Sequence, residues 1–201
     1  MDVIFIRHGQ TNWNKRNIIQ GKLNTSLNNI GKIQAKKIAK NIKKINKIDL
    51  IFSSPLNRAH ETISPFLDFN KNAIIYTTLL SERNFGCIEG VCIKQDSKID
   101  PEKLLILNKT RDPNFSPSGG ESLNDINKRV IRFISMLKEL QKLSTVICIT
   151  HGGFLDILFR LVNNFPINSE RKWKIPNAGF YKIYLGCNEI KLISWANVDH
   201  L

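Results

Sequence analysis

The sequence has few cysteines and lacks any long apolar run. Its 201 residues include four cysteines, scattered along the chain without a C-x-x-C pair, so we expect buried or idle thiols rather than a disulfide framework. No apolar run approaches the roughly 18 residues of a membrane span. The first residues carry Asp2 where a signal peptide would be basic. These absences predict a cytoplasmic protein without a membrane partner.

Acidic residues are scarce as well. The chain has 17 acidic against 30 basic residues, which gives a formal net charge of +13. Such an excess suits anionic partners, namely phosphorylated metabolites, nucleic acid or an acidic membrane surface. The lysines concentrate on one regular helical segment, residues 32–47, without interleaved exposed aromatic residues. We therefore predict that nucleic acid is not the partner.

The apolar residues are numerous enough for one substantial core. They make up 42% of the chain, and neither a repeat, a linker nor a low-complexity segment divides it, so we predict a single domain over residues 1–201. Four short runs, mostly of β-branched and aromatic residues, are typical of strands buried on both faces. They are residues 3–6, 50–52, 73–79 and 145–149.

Helical patterns lie between these runs. After the capping residue Asn28, isoleucines that include Ile30 and Ile33 recur near helical spacing, with lysines opposite them. Ser54 as N-cap with Pro55 at the first helical position is a typical helix start.

Further helices follow in the second half of the chain. A helical piece is expected at residues 102–108. Ser118 and Glu121 have the capping-box spacing ahead of a strongly periodic segment, and Gly152 opens another helix. Residues 179–185 and 189–195 suggest a hairpin. Because strands alternate with helices, we predict an α/β fold with a mainly parallel sheet.

Unusual polar residues follow three of the predicted strands. The carboxyl ends of parallel strands form the ligand-binding edge of such a sheet, and helix N-termini attract anions there. Arg58 lies about one turn into the helix after Pro55. Two arginines and two histidines should therefore meet at one cationic spot that suits a tetrahedral phosphate. The strand-end segments are Arg7-His8-Gly9, Ser53-Ser54-Pro55 and Thr150-His151-Gly152-Gly153.

These residues resemble a known family. Residues 7–14, Arg-His-Gly-Gln-Thr-Asn-Trp-Asn, look like the signature of the histidine phosphatase (phosphoglycerate mutase-like) superfamily. The matching segments span nearly the whole chain in the right order, and the resemblance implies a three-layer α/β/α sandwich and the small phosphatase branch. The other matches are Gln20-Gly21, Leu27, Gly31, Gln34-Ala35, residues 53–59 with Thr62, Glu82, Phe85-Gly86, Glu89-Gly90, residues 119–122, residues 150–153 and His200-Leu201.

The resemblance implies a phosphomonoesterase acting on small phosphorylated metabolites. His8 would be the nucleophile and would form a phosphohistidine, while the carbonyl of Gly9 would hold its other ring nitrogen. Arg7 and Arg58 would clamp the phosphoryl oxygens with guanidinium forks. His151 would donate to the equatorial oxygens in the transition state.

Glu82 would protonate the leaving oxygen and then deprotonate the attacking water. It could instead be a loop residue paired with its neighbour Arg83, and Glu89 is expected to be a structural carboxylate. The phosphate pocket would be lined by Asn14, Gln20, Gly21 and Gly152. No cofactor and no metal ion are required, and His60-Glu61 is not a zinc motif, because Ser64 stands where H-E-x-x-H needs its second histidine.

Two other functions stay open at this point. One is phosphoglycerate mutase-type transfer, although the insertion that such mutases carry after the acid glutamate is short here. The other is a non-catalytic phospho-ligand binding module. The oligomeric state is open as well, with a homodimer as one option.

The chain also departs from the family pattern on the leaving-group side. Arg83 replaces an aliphatic residue, Asn24 an aspartate, and Cys87-Ile88 an Asp-Trp pair. The substrate contacts of residues 92–117, with Phe115, Lys94 and Arg111 as candidates, and those of Gly119-Gly120-Glu121 are undetermined by the sequence.

Overall fold

The sheet of this protein is parallel at its centre and antiparallel at one edge. The computed structural model describes residues 1–67, 74–93, 99–140 and 142–201. Within these ranges lie six strands, β1 (Asp2–Arg7), β2 (Leu50–Ser53), β3 (Ile74–Tyr76), β4 (Thr145–Thr150), β5 (Phe180–Leu185) and β6 (Ile190–Asn197). Their order is β3-β2-β4-β1-β5-β6. The first four pair in parallel, while β5 runs antiparallel to β1 and to β6.

Helices cover both faces of this sheet. They are α1 (Asn12–Arg16), α2 (Asn29–Ile42), α3 (Asn57–Leu67), α4 (Pro101–Lys109), α5 (Leu123–Lys138) and α6 (Gly152–Asn163). Side chains alternate along β1, so that Val3 and Phe5 join a core cluster with α5 and α6, whereas Ile4 and Ile6 join a second cluster with α2 and α3. The predicted α/β/α sandwich with a mainly parallel sheet is confirmed.

The predicted start of α3 is wrong by two residues. The helix begins at Asn57 rather than at Pro55, and Leu56 accepts its first backbone hydrogen bonds, from Ala59 and His60. The hydroxyl of Ser54 is taken by the ring of His151, at 2.8 Å from Nε2, and has only a long contact of 3.3 Å with the amide of Leu56.

The predicted cap of α5 is also wrong. Ser122, not Ser118, caps this helix, and it forms a capping box with Asp125. Glu121 forms an ion pair with Arg129 instead of a capping hydrogen bond, and Arg129 Nη2 lies 2.9 Å from Glu121 Oε2. The helix itself is confirmed, with Ile126, Val130 and Phe133 among its buried residues.

Two further differences concern length and exposure. The third strand covers only Ile74–Tyr76, because the hydroxyl of Thr77 caps a short 3-10 helix, Thr78–Leu80; residue 73 of the prediction lies outside the described residues. In α2, Ile30 and Ile33 are about half exposed, at 50% and 57%, and alanines take the buried positions beside Ile38 and Ile42. None of the described helices is long and apolar enough to cross a membrane.

Candidate active site

The pairing of β1 with β4 brings the two histidines together. Arg7 lies opposite Thr150 in this parallel pair, so His8 and His151 both follow the last paired residue of their strand. The amide of His8 donates to the carbonyl of Thr150 at 3.0 Å. As a result the two imidazole rings lie with their centroids 5.0 Å apart.

His8 is held as a neutral imidazole. It is 1% exposed, and its Nδ1 donates to the carbonyl of Gly9 at 2.7 Å, the partner that the sequence predicts. Burial, together with the charges of Arg58 and Arg7, holds the pKa of His8 well below its ordinary value. With the proton on Nδ1, the lone pair stays on Nε2, which no described residue hydrogen-bonds. That atom is therefore available as a nucleophile.

His151 is arranged as a donor beside it. The ring is completely buried, and burial followed by the charge of Arg58 lowers its pKa well below the ordinary value. Its Nε2 lies 2.8 Å from the hydroxyl oxygen of Ser54, which also receives the amide of Leu56. A hydroxyl that accepts from Leu56 can donate its own proton to His151, and this leaves the proton of the neutral ring on Nδ1.

Backbone carbonyls hold both terminal nitrogens of the Arg58 guanidinium. Its Nη1 and Nη2 donate to the carbonyls of Leu23 and Gly21 at 2.8 and 2.7 Å, and burial lowers the pKa of Arg58 to about 10. The hydroxyl of Thr62 accepts from the amide of Gly9 and donates to the carbonyl of Arg58. This bond ties α3 to the loop that carries His8.

Arg7, at the end of β1, also lies close to His8. Its Nη1 donates to the carbonyl of Ile175, burial lowers its pKa, and its guanidinium lies against Gly152 at the start of α6. Among the described residues, nothing pairs with the buried atoms Arg7 Nε, Arg58 Nε and His151 Nδ1. Three such donors close to His8 could be satisfied by an anion, and a phosphoryl group has enough acceptor oxygens for all of them.

Glu82 is placed at the N-terminus of α6. Its Oε1 accepts from the amide of Gly153 at 2.8 Å and from the amide of Arg83 at 2.9 Å. These two amides fix the position of the carboxyl group. The second oxygen, Oε2, has no hydrogen bond to a described residue, so it is the one that can exchange a proton with substrate.

A cavity of about 350 Å³ lies at this site, and Arg7 and Glu82 are among the residues that line it. His8, Arg58 and His151 are buried and are not among its lining residues. Gln20 is held by the hydroxyls of Thr11 and Thr25 at 3.0 and 2.6 Å. Of the residues that the sequence predicts for the site, the following line the cavity: Arg7, Asn14, Gln20, Gly21, Glu82 and Gly152.

The sequence of this chain is similar to those of known phosphatases. Residues 3–198 match the model of the histidine phosphatase superfamily, branch 1. A Schizosaccharomyces pombe protein named "Probable phosphatase" is 36% identical over 163 residues, which are 79% of this chain and 71% of that one. The metal-independent phosphoserine phosphatase of Arabidopsis thaliana is 28% identical over 100% of this chain and 83% of its own length.

A solved structure agrees with these matches. The phosphoserine phosphatase of Entamoeba histolytica, in complex with 3-phosphoglyceric acid, has a TM-score of 0.81 and 26% identity, and the alignment covers 99% of this chain and 98% of that one. The chain belongs to the histidine phosphatase superfamily. It is a phosphatase of this family by its sequence, its fold and its relatives.

The sequence did not point to every residue that shapes the site of this histidine phosphatase. Asn177 donates from Nδ2 to the carbonyl of His8 at 3.1 Å and to Asn14 Oδ1 at 3.2 Å. It precedes Ala178, whose φ of 60° is unusual for a residue with a side chain. The only signal in the sequence is the turn composition of Pro176-Asn177 before the last hairpin.

Other residues of the phosphatase are placed away from the phosphate. Glu89 accepts from the amides of Lys22 and Phe85 and is structural, as expected. Glu121 pairs with Arg129, and Phe115 lies near Lys109 rather than along the cavity. Lys94 lies outside the described residues. No group of three histidine, cysteine or acidic side chains that could hold a metal ion is found within the described part of the chain.

The two buried histidines of this phosphatase predict a pH-dependent stability. Their pKa values lie well below 6.5 in the folded protein, whereas unfolded histidines take up protons as the pH falls through about 6.5. The free energy of unfolding should therefore be highest above pH 6.5. It should fall between pH 6.5 and 5, by at most about 1.7 kcal/mol per histidine.

Urea unfolding at pH 7.5, 6.5 and 5 measures this loss. Carboxylates with lowered pKa, such as Asp49 at about 2, lose their contribution only below about pH 4.5 and stay outside this range. Replacing His8 with Asn should make the slope smaller, while His151 and the partly buried His200, whose pKa burial also lowers, keep the rest of it. A slope unchanged by this substitution contradicts the neutral, buried imidazole.

Proposed function

We propose that this protein hydrolyses small phosphorylated metabolites through a phosphohistidine on His8, without a metal ion, in the cytoplasm. The observation that carries the proposal is the neutral imidazole of His8, with Nε2 free, beside the unpartnered donors of Arg7, Arg58 and His151. The cavity of about 350 Å³ is of a size for a small metabolite. The four cysteines are scattered along the sequence without a C-x-x-C pair, and this spacing supports a reducing compartment.

The first half of the reaction forms the phosphoenzyme. Nε2 of His8 attacks phosphorus, and a P–N bond forms while the P–O bond to the leaving group breaks. The N–H of Nδ1 keeps its bond to the carbonyl of Gly9, which stabilises the positive ring. Arg7, Arg58 and His151 donate to the equatorial oxygens, where charge is spread in the transition state. Glu82 gives its proton to the leaving oxygen.

The second half regenerates the enzyme. Glu82, now a carboxylate, accepts a proton from water as the water oxygen attacks phosphorus, and the P–N bond breaks. The products are inorganic phosphate and neutral His8, with Glu82 protonated again. All the charge stabilisation comes from side chains and from the N-terminus of α6, so that the cycle needs no metal ion.

A screen of phosphorylated metabolites in the presence of a chelator tests the proposal. We expect release of inorganic phosphate, undiminished by EDTA and absent in His8→Ala. The panel includes 3-phosphoglycerate with 2,3-bisphosphoglycerate, because a mutase returns the phosphoryl group to a second position instead of releasing it. Activity that disappears with EDTA, or that survives in His8→Ala, contradicts the proposed chemistry.

A further inference from the structure

The loop before β5 is held against the end of β1. The amide of Ala178 donates to the carbonyls of Arg7 and His8 at 3.1 and 3.2 Å, and the amide of Arg7 donates to the carbonyl of Gly179 at 3.1 Å. Ala178 is fully buried, and its φ of 60° lies in the left-handed region, which is unfavourable for a residue with a Cβ. Main-chain hydrogen bonds thus hold a strained conformation next to the nucleophile, and they fix the place of Asn177.

One nitrogen atom of Asn177 contacts two residues of the site. Nδ2 lies 3.1 Å from the carbonyl oxygen of His8 and 3.2 Å from Oδ1 of Asn14, with a longer contact of 3.5 Å to the carbonyl of Gly9. An amide nitrogen carries two protons, so His8 and Asn14 can each receive one. Asn177 is not one of the residues that line the cavity. It can therefore act on the reaction only through the residues that it holds.

These hydrogen bonds set the orientation of the Asn14 amide. Its Oδ1 accepts from the backbone amide of Thr11 at 3.0 Å as well as from Asn177. A backbone amide can only donate, so the oxygen of Asn14 has to face Thr11, and Nδ2 takes the other position. Nδ2 of Asn14 has no partner in the described ranges and is not one of the unpaired atoms there that are buried. Because Asn14 lines the cavity, this nitrogen is the donor that Asn14 offers to a phosphoryl oxygen.

We propose that Asn177 is a positioning residue of the phosphatase reaction. With one nitrogen it holds the main chain of His8 and the side chain of Asn14, and so fixes the Asn14 donor relative to the nucleophile while the phosphoryl group passes to Nε2. A displacement of about 1 Å between reacting groups can cost roughly 10²-fold in rate. The inference rests on the proposed function and deepens it, because it adds a residue that neither touches the substrate nor exchanges a proton.

Asn177→Asp tests the two hydrogen bonds, because the side chain keeps its shape and loses both N–H groups. The carboxylate can only accept, and it faces two oxygens that also accept. In EDTA, kcat/KM for p-nitrophenyl phosphate should fall by about 10- to 100-fold. Asn177→Ala removes the same bonds without adding a charge, and it should give a smaller loss in the same direction.

The binding of two anions separates positioning from a general loss of structure. Vanadate resembles the five-coordinate transition state when it bonds to Nε2 of His8, whereas inorganic phosphate only occupies the anion site. In Asn177→Asp the affinity for vanadate should fall in parallel with kcat/KM, and that for phosphate by less than about threefold. The ratio of the two affinities does not depend on the folded fraction, so a less stable variant still gives a result.

Asn163→Asp is the matched control. Asn163 is the last residue of α6, and its Nδ2 donates to the carbonyl of Phe159 at 2.8 Å. It does not line the cavity. The same exchange of an amide for a carboxylate should leave kcat/KM and both affinities within about twofold of the wild type, as for most substitutions outside a site.

A double-mutant cycle shows whether Asn177 acts through Asn14. In an Asn14→Ala background, Asn177→Asp should lower kcat/KM by less than about fivefold, because only its contact with the carbonyl of His8 is left to lose. Additive effects of the two substitutions overturn the inference. Equal losses of phosphate and vanadate affinity, or unchanged kcat/KM in both Asn177 variants, overturn it as well. Failure of the proposed function is seen separately, in the wild-type protein with EDTA and in His8→Ala.

Discussion

Replacing His8 with alanine is expected to lower kcat by about 10⁴- to 10⁶-fold, because the variant has no nucleophile while the anion site is retained. Rapid quenching with a radiolabelled phosphate ester should trap a phosphoenzyme in the wild type, stable to base and labile to acid. The variant should show no such label. It should still bind inorganic phosphate, since Arg7, Arg58 and His151 all remain.

The control for this substitution is His60→Ala. His60 is exposed and bonded to the hydroxyl of Tyr76, outside the cavity. It should leave kcat and the trapped label within about twofold of the wild type. A base-stable label that persists in His8→Ala would place the phosphoryl group on another residue, and the assignment of the nucleophile would be lost.

Glu82→Gln is expected to slow the hydrolysis of alkyl phosphates by about 10²- to 10⁴-fold, the usual contribution of a general acid. The glutamine keeps an oxygen for the amides of Gly153 and Arg83, so that the loop stays in place. With p-nitrophenyl phosphate, whose leaving oxygen needs no proton, the formation of phosphohistidine should be much less affected. The phosphoenzyme should then accumulate, because Glu82 is missing as the base for water.

A second pair of variants tests the position of the carboxylate instead of its charge. A Cβ at Gly153 would overlap Glu82 Oε1, whereas a Cβ at Gly152 would be in ordinary contact with Arg7 Cζ, at 3.5 Å. Gly153→Ala should therefore reproduce part of the loss of Glu82→Gln, and Gly152→Ala should not. Equal effects of Glu82→Gln and of Glu89→Gln on alkyl phosphates would instead mark Glu82 as one structural carboxylate among others.

The strands and the phosphate site could be predicted because each has a local signal. Short β-branched runs define strands β1, β2 and β4, and the chain then turns at Arg7, Ser53 and Thr150, where an edge of parallel strands has to collect ligand-binding groups. The carbonyl of Gly9 as the partner of His8 follows from the same short segment.

The wrong predictions concern side chains that a residue far away in the sequence engages in place of a local partner. The helix α3 starts later than predicted because the hydroxyl of Ser54 hydrogen-bonds to His151, a residue from the other half of the chain, instead of capping the helix. The cap of α5 shifted because Glu121 pairs with Arg129. Asn177 could not be found at all, since its role depends on the approach of a loop to His8 that no local pattern reports. Local sequence patterns report only on residues that are close together in the chain. These contacts join segments that are far apart in it, so the patterns could not predict them.

The pairing of β1 with β4, which places His8 beside His151, has a consequence for refolding. The two strands are separated in the sequence by residues 8–144, so their closure is a late and slow event compared with the formation of helices. A one-residue slip in their register would send one imidazole to the wrong side of the sheet. Recovery of enzymatic turnover after dilution from denaturant should therefore lag behind the recovery of helical circular dichroism.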